Sequence, residues 1–165
     1  MKLCLKDAFA SQSFNKTYSY RLSKDELDSL PAPLVSDAVC VAVTVDSQNG
    51  NVTCEMEIVG AFSVLCGRCA KEFNFEFRSS TKKAVLRDDG VCDEDAVYVN
   101  SSMCFDVNEE VFTRICFEFP MAPLCSKDCK GLCPVCGCDL NTSSCTCDTK
   151  TVDPRLAVLK NLFDK

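Results

Sequence analysis

Fifteen cysteines and no histidine stand in a chain of 165 residues. Seven of those thiols crowd into the run from Cys125 to Cys147, CSKDCKGLCPVCGCDLNTSSCTC. That density is too high for core packing, and the spacings are those of metal ligands. Cys133-x2-Cys136 makes a tight knuckle around Pro134, followed by Gly137, and Cys145-x-Cys147 returns after a polar loop. Two such pairs can place four thiolates at the corners of a tetrahedron, the geometry of structural zinc. Without histidine, the site must be all-thiolate or borrow a carboxylate.

Eight cysteines fall into four close pairs: Cys66/Cys69, Cys125/Cys129, Cys133/Cys136 and Cys145/Cys147. Eight thiolates match two tetrahedral Zn²⁺ sites. The natural division joins Cys133, Cys136, Cys145 and Cys147 locally and brings the distant Cys66 and Cys69 to Cys125 and Cys129. Such a clip closes a large loop, a gain that grows only slowly with loop length. Other readings stay open for Cys66-Gly67-Arg68-Cys69. It could be buried without metal, or be a redox dithiol, although a strand pattern follows it where an activating helix N-terminus would be needed. Any four-thiol set could also hold an iron–sulfur cluster, although the Cys-Pro-x-Cys-Gly form favours zinc. Cys138 reads as a bystander. Cys4, Cys40, Cys54, Cys92, Cys104 and Cys116 read as small hydrophobes packed in the core. Without histidine a Cys–His or Ser–His nucleophile is impossible. A catalytic zinc would keep a position open, whereas these pairs fill four, so the expectation is a protein that is not an enzyme.

The elements that must position these thiols are mostly strands. Residues 2–9 and 14–22 read as two strands, and Ser23-Lys24-Asp25-Glu26 as a capping box opening a short helix that Pro31 and Pro33 stop. Val39, Val41, Val43 and Val45 alternate with smaller residues, and Asn49-Gly50 supplies a hairpin turn. The return strand places Val52, Cys54, Met56 and Ile58 on one face; Gly60 reads as a break, after which 62–66 resumes. Phe73, Phe75 and Phe77 alternate with polar residues in a strand over 72–78, and shorter strands are expected near 83–87 and 96–99. The pattern is a meander of half-buried antiparallel strands. Asp106 caps a helix with Val107, Val111, Phe112, Ile115, Cys116 and Phe119 at helical spacing, ended by Pro120 and Pro123. Asp153-Pro154 opens a last helix over 155–163. The expected class is α+β: an antiparallel β-rich main domain over residues 1–123, and a tail over 124–165 with an all-cysteine zinc knuckle and short helices.

Hydrophobic content of 47% with 25% charged residues is globular. No apolar run reaches the roughly 18 residues of a membrane span, and no secretory signal precedes the first strand. That many cysteines without an export signal imply a reducing compartment, where thiols serve metals and cores rather than disulfides, so the expected location is cytoplasmic. A net charge of −6 argues against simple electrostatic binding of nucleic acid. The charge is uneven, however. Residues 68–87 hold six basic side chains against two acidic ones, while residues 88–113 hold eight acids and no Lys or Arg. The acidic stretch reads as a solvated surface, or as one that meets a basic partner such as a ribosomal protein.

Several of these features, in this order, resemble the YceD family, the large ribosomal RNA subunit accumulation proteins of bacteria and plastids. They are Cys66-Gly67-Arg68-Cys69, the helix ending in Phe119-Pro120-Met121-Ala122-Pro123, the run Asp128 to Gly137 with Leu140-Asn141, and Asp153-Pro154-Arg155-Leu156-Ala157-Val158-Leu159-Lys160. The resemblance covers the chain from about residue 40 to its end. It implies a cytoplasmic, non-enzymatic factor needed for accumulation of large-subunit ribosomal RNA. Family members without the last four cysteines keep the C-x2-C and a pair after the Pro-x-x-Pro helix end, which treats Cys66, Cys69, Cys125 and Cys129 as one unit. The leading expectation is therefore a ribosome-biogenesis factor that contacts large-subunit RNA or an assembling ribosomal protein, with no membrane and no small-molecule substrate. Arg68, Lys71, Lys130 and Arg155 are the candidate RNA contacts, joined by Lys82, Lys83, Lys127 and Lys160. The alternative is a zinc-bearing protein–protein adaptor without RNA contact.

Overall fold

The structure, a computed structural model, describes residues 2–26, 30–36, 38–87 and 96–148. Cys92, the acidic stretch 88–95, Arg155, Lys160 and the expected helix over 155–163 lie outside the described residues. Chain contacts divide the protein into two compact units, Met1–Val64 with Phe73–Met121, and Leu65–Glu72 with Ala122–Lys165.

The first unit is α+β. A five-stranded sheet has the order β2 (Ser13–Ser23), β3 (Ala38–Gln48), β4 (Asn51–Leu65), β5 (Glu72–Arg87), β6 (Ala96–Val99). A two-stranded sheet pairs β1 (Lys2–Cys4) with β7 (Cys104–Asp106). The β3–β4 hairpin turns on Asn49 (φ 52°) and Gly50 (φ 85°), both left-handed, so the two-residue loop follows the strand twist. Gln48 then faces Asn51 and Val43 faces Met56 in antiparallel register. Val39, Val41, Val43 and Val45 of β3 and Val52, Cys54, Met56 and Ile58 of β4 are all buried. Helix α2 (Val107–Glu118) is capped by the Asp106 carboxylate, which accepts from the Asn108 backbone N–H at 3.0 Å. It buries Val107, Val111 and Ile115 in the same core cluster. Phe119, just past its end, meets the ring of Phe62 edge-on with centroids 5.2 Å apart.

Several expectations need correction. Residues 2–9 are not one strand: β1 stops at Cys4, and a short helix α1 (Lys6–Ala10) follows, because Leu5 and Ala8 turn inward at helical spacing and are fully buried. Gly60 does not break β4, which is continuous. It falls on the inward face in phase with Ile58 and Phe62, where a Cβ would already touch Phe62 and Val39 at 3.4 Å. The strands expected over 72–78 and 83–87 are one, β5, and its neighbour β6 runs parallel to it, so the sheet is mixed rather than a pure antiparallel meander. Ser23 and Glu26 meet as a capping box predicts, the Glu26 carboxylate accepting from the Ser23 amide at 2.9 Å, over a 3-10 turn, Lys24–Glu26.

The cysteines assigned to core packing divide. Cys54 is buried, but Cys40 and Cys116 are exposed. Cys40 alternates with Val39 and Val41 and so takes the uncovered face of β3. Cys4 and Cys104 are joined by a disulfide, against the expectation of a chain without one. The β1–β7 register sets Cys4 opposite Cys104 as direct cross-strand neighbours, a placement that a sequence separation of 100 residues conceals.

Candidate metal centres

The second unit is short of apolar core. Among its described residues the buried hydrophobic positions are Cys66, Cys69, Cys129 and Cys133, while Val135 and Leu65 are 65% and 64% exposed. Its interior is made of thiols. Such a segment cannot repay its chain entropy from apolar burial, and its fold has to come from hydrogen bonds and whatever the sulfurs hold.

Two turns of the same construction carry the first pair of each cluster. In Cys66-Gly67-Arg68-Cys69-Ala70, the Ala70 N–H donates to the Cys66 carbonyl at 2.9 Å. In Cys133-Pro134-Val135-Cys136-Gly137, the Gly137 N–H donates to the Cys133 carbonyl, also at 2.9 Å. The residue closing each turn is left-handed, with φ 55° at Ala70 and 72° at Gly137. The turn aims backbone N–H groups at the first sulfur of the pair, and Val135 donates to Cys133 Sγ at 3.5 Å. Those donors favour a thiolate. Cys133 is held down to about 6 by the N–H groups of Cys136 and Val135. Cys66 is held down to about 6 by those of Cys125, Cys69 and Arg68. Burial and its neighbouring thiols push Cys125 in the opposite direction, up to about 12. In each cluster, backbone donors thus favour a thiolate at the first cysteine of the turn, while Cys125 in one set and Cys147 in the other are raised and keep a proton that a bound cation would displace.

The structure brings the eight paired cysteines together as two sets of four sulfurs, Cys66, Cys69, Cys125, Cys129 and Cys133, Cys136, Cys145, Cys147, with the sulfurs of each set within 4.8 Å of one another. In the first set Cys66 Sγ lies 3.8 Å from Cys129 Sγ, and Cys69 Sγ lies 3.7 Å from Cys125 Sγ. A tetrahedron with a metal–sulfur distance of about 2.3 Å has edges of about 3.8 Å, so this donor set fits a single thiolate-bound ion such as zinc. The Cys125 side of the set is the most open to solvent. Cys138 stays outside the second set. The Cys136 thiol beside it and its burial raise it to about 12, and its carbonyl accepts from the Cys133 N–H at 2.8 Å.

The segments are stapled to one another within the unit. Gly67 N–H donates to the Pro123 carbonyl at 2.8 Å and Leu132 N–H to the Arg68 carbonyl at 3.1 Å. Gly131 is left-handed (φ 74°), and a Cβ there would sit 3.0 Å from the Arg68 oxygen, so only glycine lets the two backbones pass this closely. Arg68, a candidate RNA contact, directs Nη1 to the Cys129 carbonyl at 3.0 Å. Lys71 and Lys130 are exposed, as is Lys127. Lys83, in the first unit, pairs with Glu110 at 3.3 Å. Asn141, to which the sequence reading gave no role, donates from Nδ2 toward Cys129 Sγ at 3.5 Å. The sequence signal available for it was Asp139-x-Asn141, an Asx-type turn, in which the Asn141 N–H donates to Asp139 Oδ1 at 2.9 Å.

No helix among the described residues is long and apolar enough to cross a membrane. No solved structure matches the chain. A large ribosomal RNA subunit accumulation protein, YCED homolog 1 of the Zea mays chloroplast, is 41% identical over 59 residues, which are 35% of this chain and 20% of the maize protein. The matched stretch therefore spans about a fifth of that relative. The sequence profile described as large ribosomal RNA subunit accumulation protein YceD matches residues 54–163, a span that contains both sets of thiols.

Proposed function

Because the chain belongs to the YceD family of large ribosomal RNA subunit accumulation proteins, we propose that it is a non-enzymatic ribosome-biogenesis factor whose second unit is folded by two zinc ions. The observation that carries this reading is that the family match encloses both four-thiol sets and everything between them. Zinc is favoured over an iron–sulfur cluster by the first set's sulfur spacing, which leaves room for one ion and none for a cage of iron and sulfide. The metals act as structure, with all four positions of each ion taken by protein. Lys71, Lys130 and Arg155, with Arg68 holding the turn, supply the positive charge that meets ribosomal RNA phosphates.

The test is made in cells that depend on this protein, carrying Lys71→Glu and Lys130→Glu. The variant folds and retains its metal, and the ratio of large- to small-subunit ribosomal RNA falls. In vitro, each lost phosphate contact reduces the slope of log affinity against log salt by about 0.7 to 0.9. An unchanged RNA ratio removes this surface from the function, and an unchanged ratio after depletion of the protein removes the function itself. The adaptor reading is favoured by a different observation in the first unit, where Phe117 on α2 is 84% exposed. If Phe117→Ser lowers the RNA ratio while the two charge reversals do not, a protein partner is the one engaged.

A further inference from the structure

The Asn141 side chain uses its whole amide. Nδ2 donates to Asp139 Oδ1 at 2.7 Å and to Cys129 Sγ at 3.5 Å, and Oδ1 accepts from the Lys130 backbone N–H at 2.8 Å. Asn141 belongs to the loop between Cys136 and Cys145, which the second thiol set closes. Cys129 belongs to the first set. The same loop is tied back at Leu140, whose N–H donates to the Gly131 carbonyl at 3.0 Å, and at the bridge between Leu132 and Asp139. The loop of one cluster therefore delivers an N–H donor to a ligand sulfur of the other.

We propose that Asn141 is a positioning residue that couples metal loading at the two clusters. This rests on the reading that both thiol sets hold a divalent ion. Four thiolates around a divalent ion leave an excess of negative charge on sulfur, and a directed N–H donor stabilises it, as outer-sphere partners of metal ligands do. Asp139 fixes the amide plane, so the donor is in place only when the loop is folded. Loading the cluster of Cys133, Cys136, Cys145 and Cys147 folds that loop and tightens the cluster of Cys66, Cys69, Cys125 and Cys129. By linkage, loading the first tightens the second by the same factor.

The experiment uses the full chain reconstituted with cadmium-113, whose resonance reports each thiolate site separately, together with chelator competition. Wild-type protein binds two ions, loads them cooperatively and shows little half-loaded species. Asn141→Ala loses about 10- to 100-fold in affinity at the Cys129 cluster, accumulates half-loaded protein, and shifts the cadmium resonance of that cluster while leaving the other in place. Asn141→Asp, which presents a like charge to the sulfur, loses more. Emptying the second cluster with Cys145→Ser and Cys147→Ser weakens the first to the same extent, and Asn141→Ala added to that background costs nothing further. Weakening of the first cluster by Asn141→Ala that persists in full when the second cluster is emptied, or no change in the half-loaded fraction, overturns the coupling while leaving the two-metal reading intact. A wild-type chain that binds fewer than two ions overturns both, and the stoichiometry alone identifies that case.

Discussion

Ala70 and Gly137 occupy the same position in two copies of one turn, each left-handed and each donating its N–H to the carbonyl of a cysteine four residues back at 2.9 Å. Only one of the two has the residue that the conformation favours. Ala70→Gly should therefore stabilise the Cys66 cluster by about 0.5 to 1 kcal/mol, and Gly137→Ala should weaken the other by a similar amount, the left-handed strain outweighing the added flexibility of glycine in the unfolded chain. Chelator titration of each variant reads both effects, and an Ala70→Gly protein that releases metal more readily than wild type contradicts the argument.

Metal removal should open the second unit and spare the first. The second unit buries cysteines where a domain would bury Leu or Val, whereas the first holds a continuous apolar cluster from Leu3 to Ile115. Structural zinc supplies about 10 to 16 kcal/mol at neutral pH in small zinc-folded segments. With chelator present, trypsin should cut rapidly after Lys127 and Lys130, while strands β2 to β5 remain protected and unfold cooperatively in urea. Persistent protection at those two lysines after verified metal loss would refute the dependence.

Alkaline pH should loosen the β unit through Cys54. Burial, with the Glu110 carboxylate nearby, pushes its thiol up to about 12 from an ordinary value near 9. Below pH 9 both folded and unfolded chains keep the proton and the group has no influence. Between pH 9 and 12 the unfolded chain releases it while the folded chain does not, so stability falls as pH rises, by about 4 kcal/mol across that window. Tyr20, its phenol also raised by burial, adds to the loss in the same direction. Urea unfolding at pH 7 and pH 10.5 should show Cys54→Val losing about 2 kcal/mol less than wild type over that step.

What could be read from the sequence was local. The valine alternation with Asn49-Gly50 between its strands, and the Asp106 cap with Val107, Val111 and Ile115 behind it, are patterns a few residues long, and each folds as its pattern dictates. The misreadings concern partners far apart in the chain. Gly60 looked like a break because a glycine carries no sign of facing inward, where a Cβ would meet Val39 and Phe62 at ordinary contact distance. The parallel pairing of β5 with β6 leaves no mark on either strand, since Val85 and Val97 would suit an antiparallel neighbour equally. Cys40 reads as core by its residue type, although its alternation with Val39 and Val41 sets it on the face of Thr44 and Asp46, which the sheet leaves uncovered. In the candidate site the short spacings within each cysteine pair were visible. The left-handed Ala70 was not, since alanine does not advertise that conformation, nor was Asn141, whose sulfur partner lies 12 residues away in another pair.

The first thiol set is assembled from sequence positions 56 residues apart, Cys69 and Cys125. On a translating ribosome, at about 5 to 20 residues per second, Cys66 and Cys69 are made roughly 3 to 11 seconds before Cys125 exists. For that interval, during which strands β5 to β7 and helix α2 are made, the nascent chain carries half a coordination sphere. A chain terminated before Cys125 can never complete it. Any ion held by this set would therefore be captured late in the life of each molecule, and its full coordination would certify that the polypeptide was synthesised at least as far as Cys129.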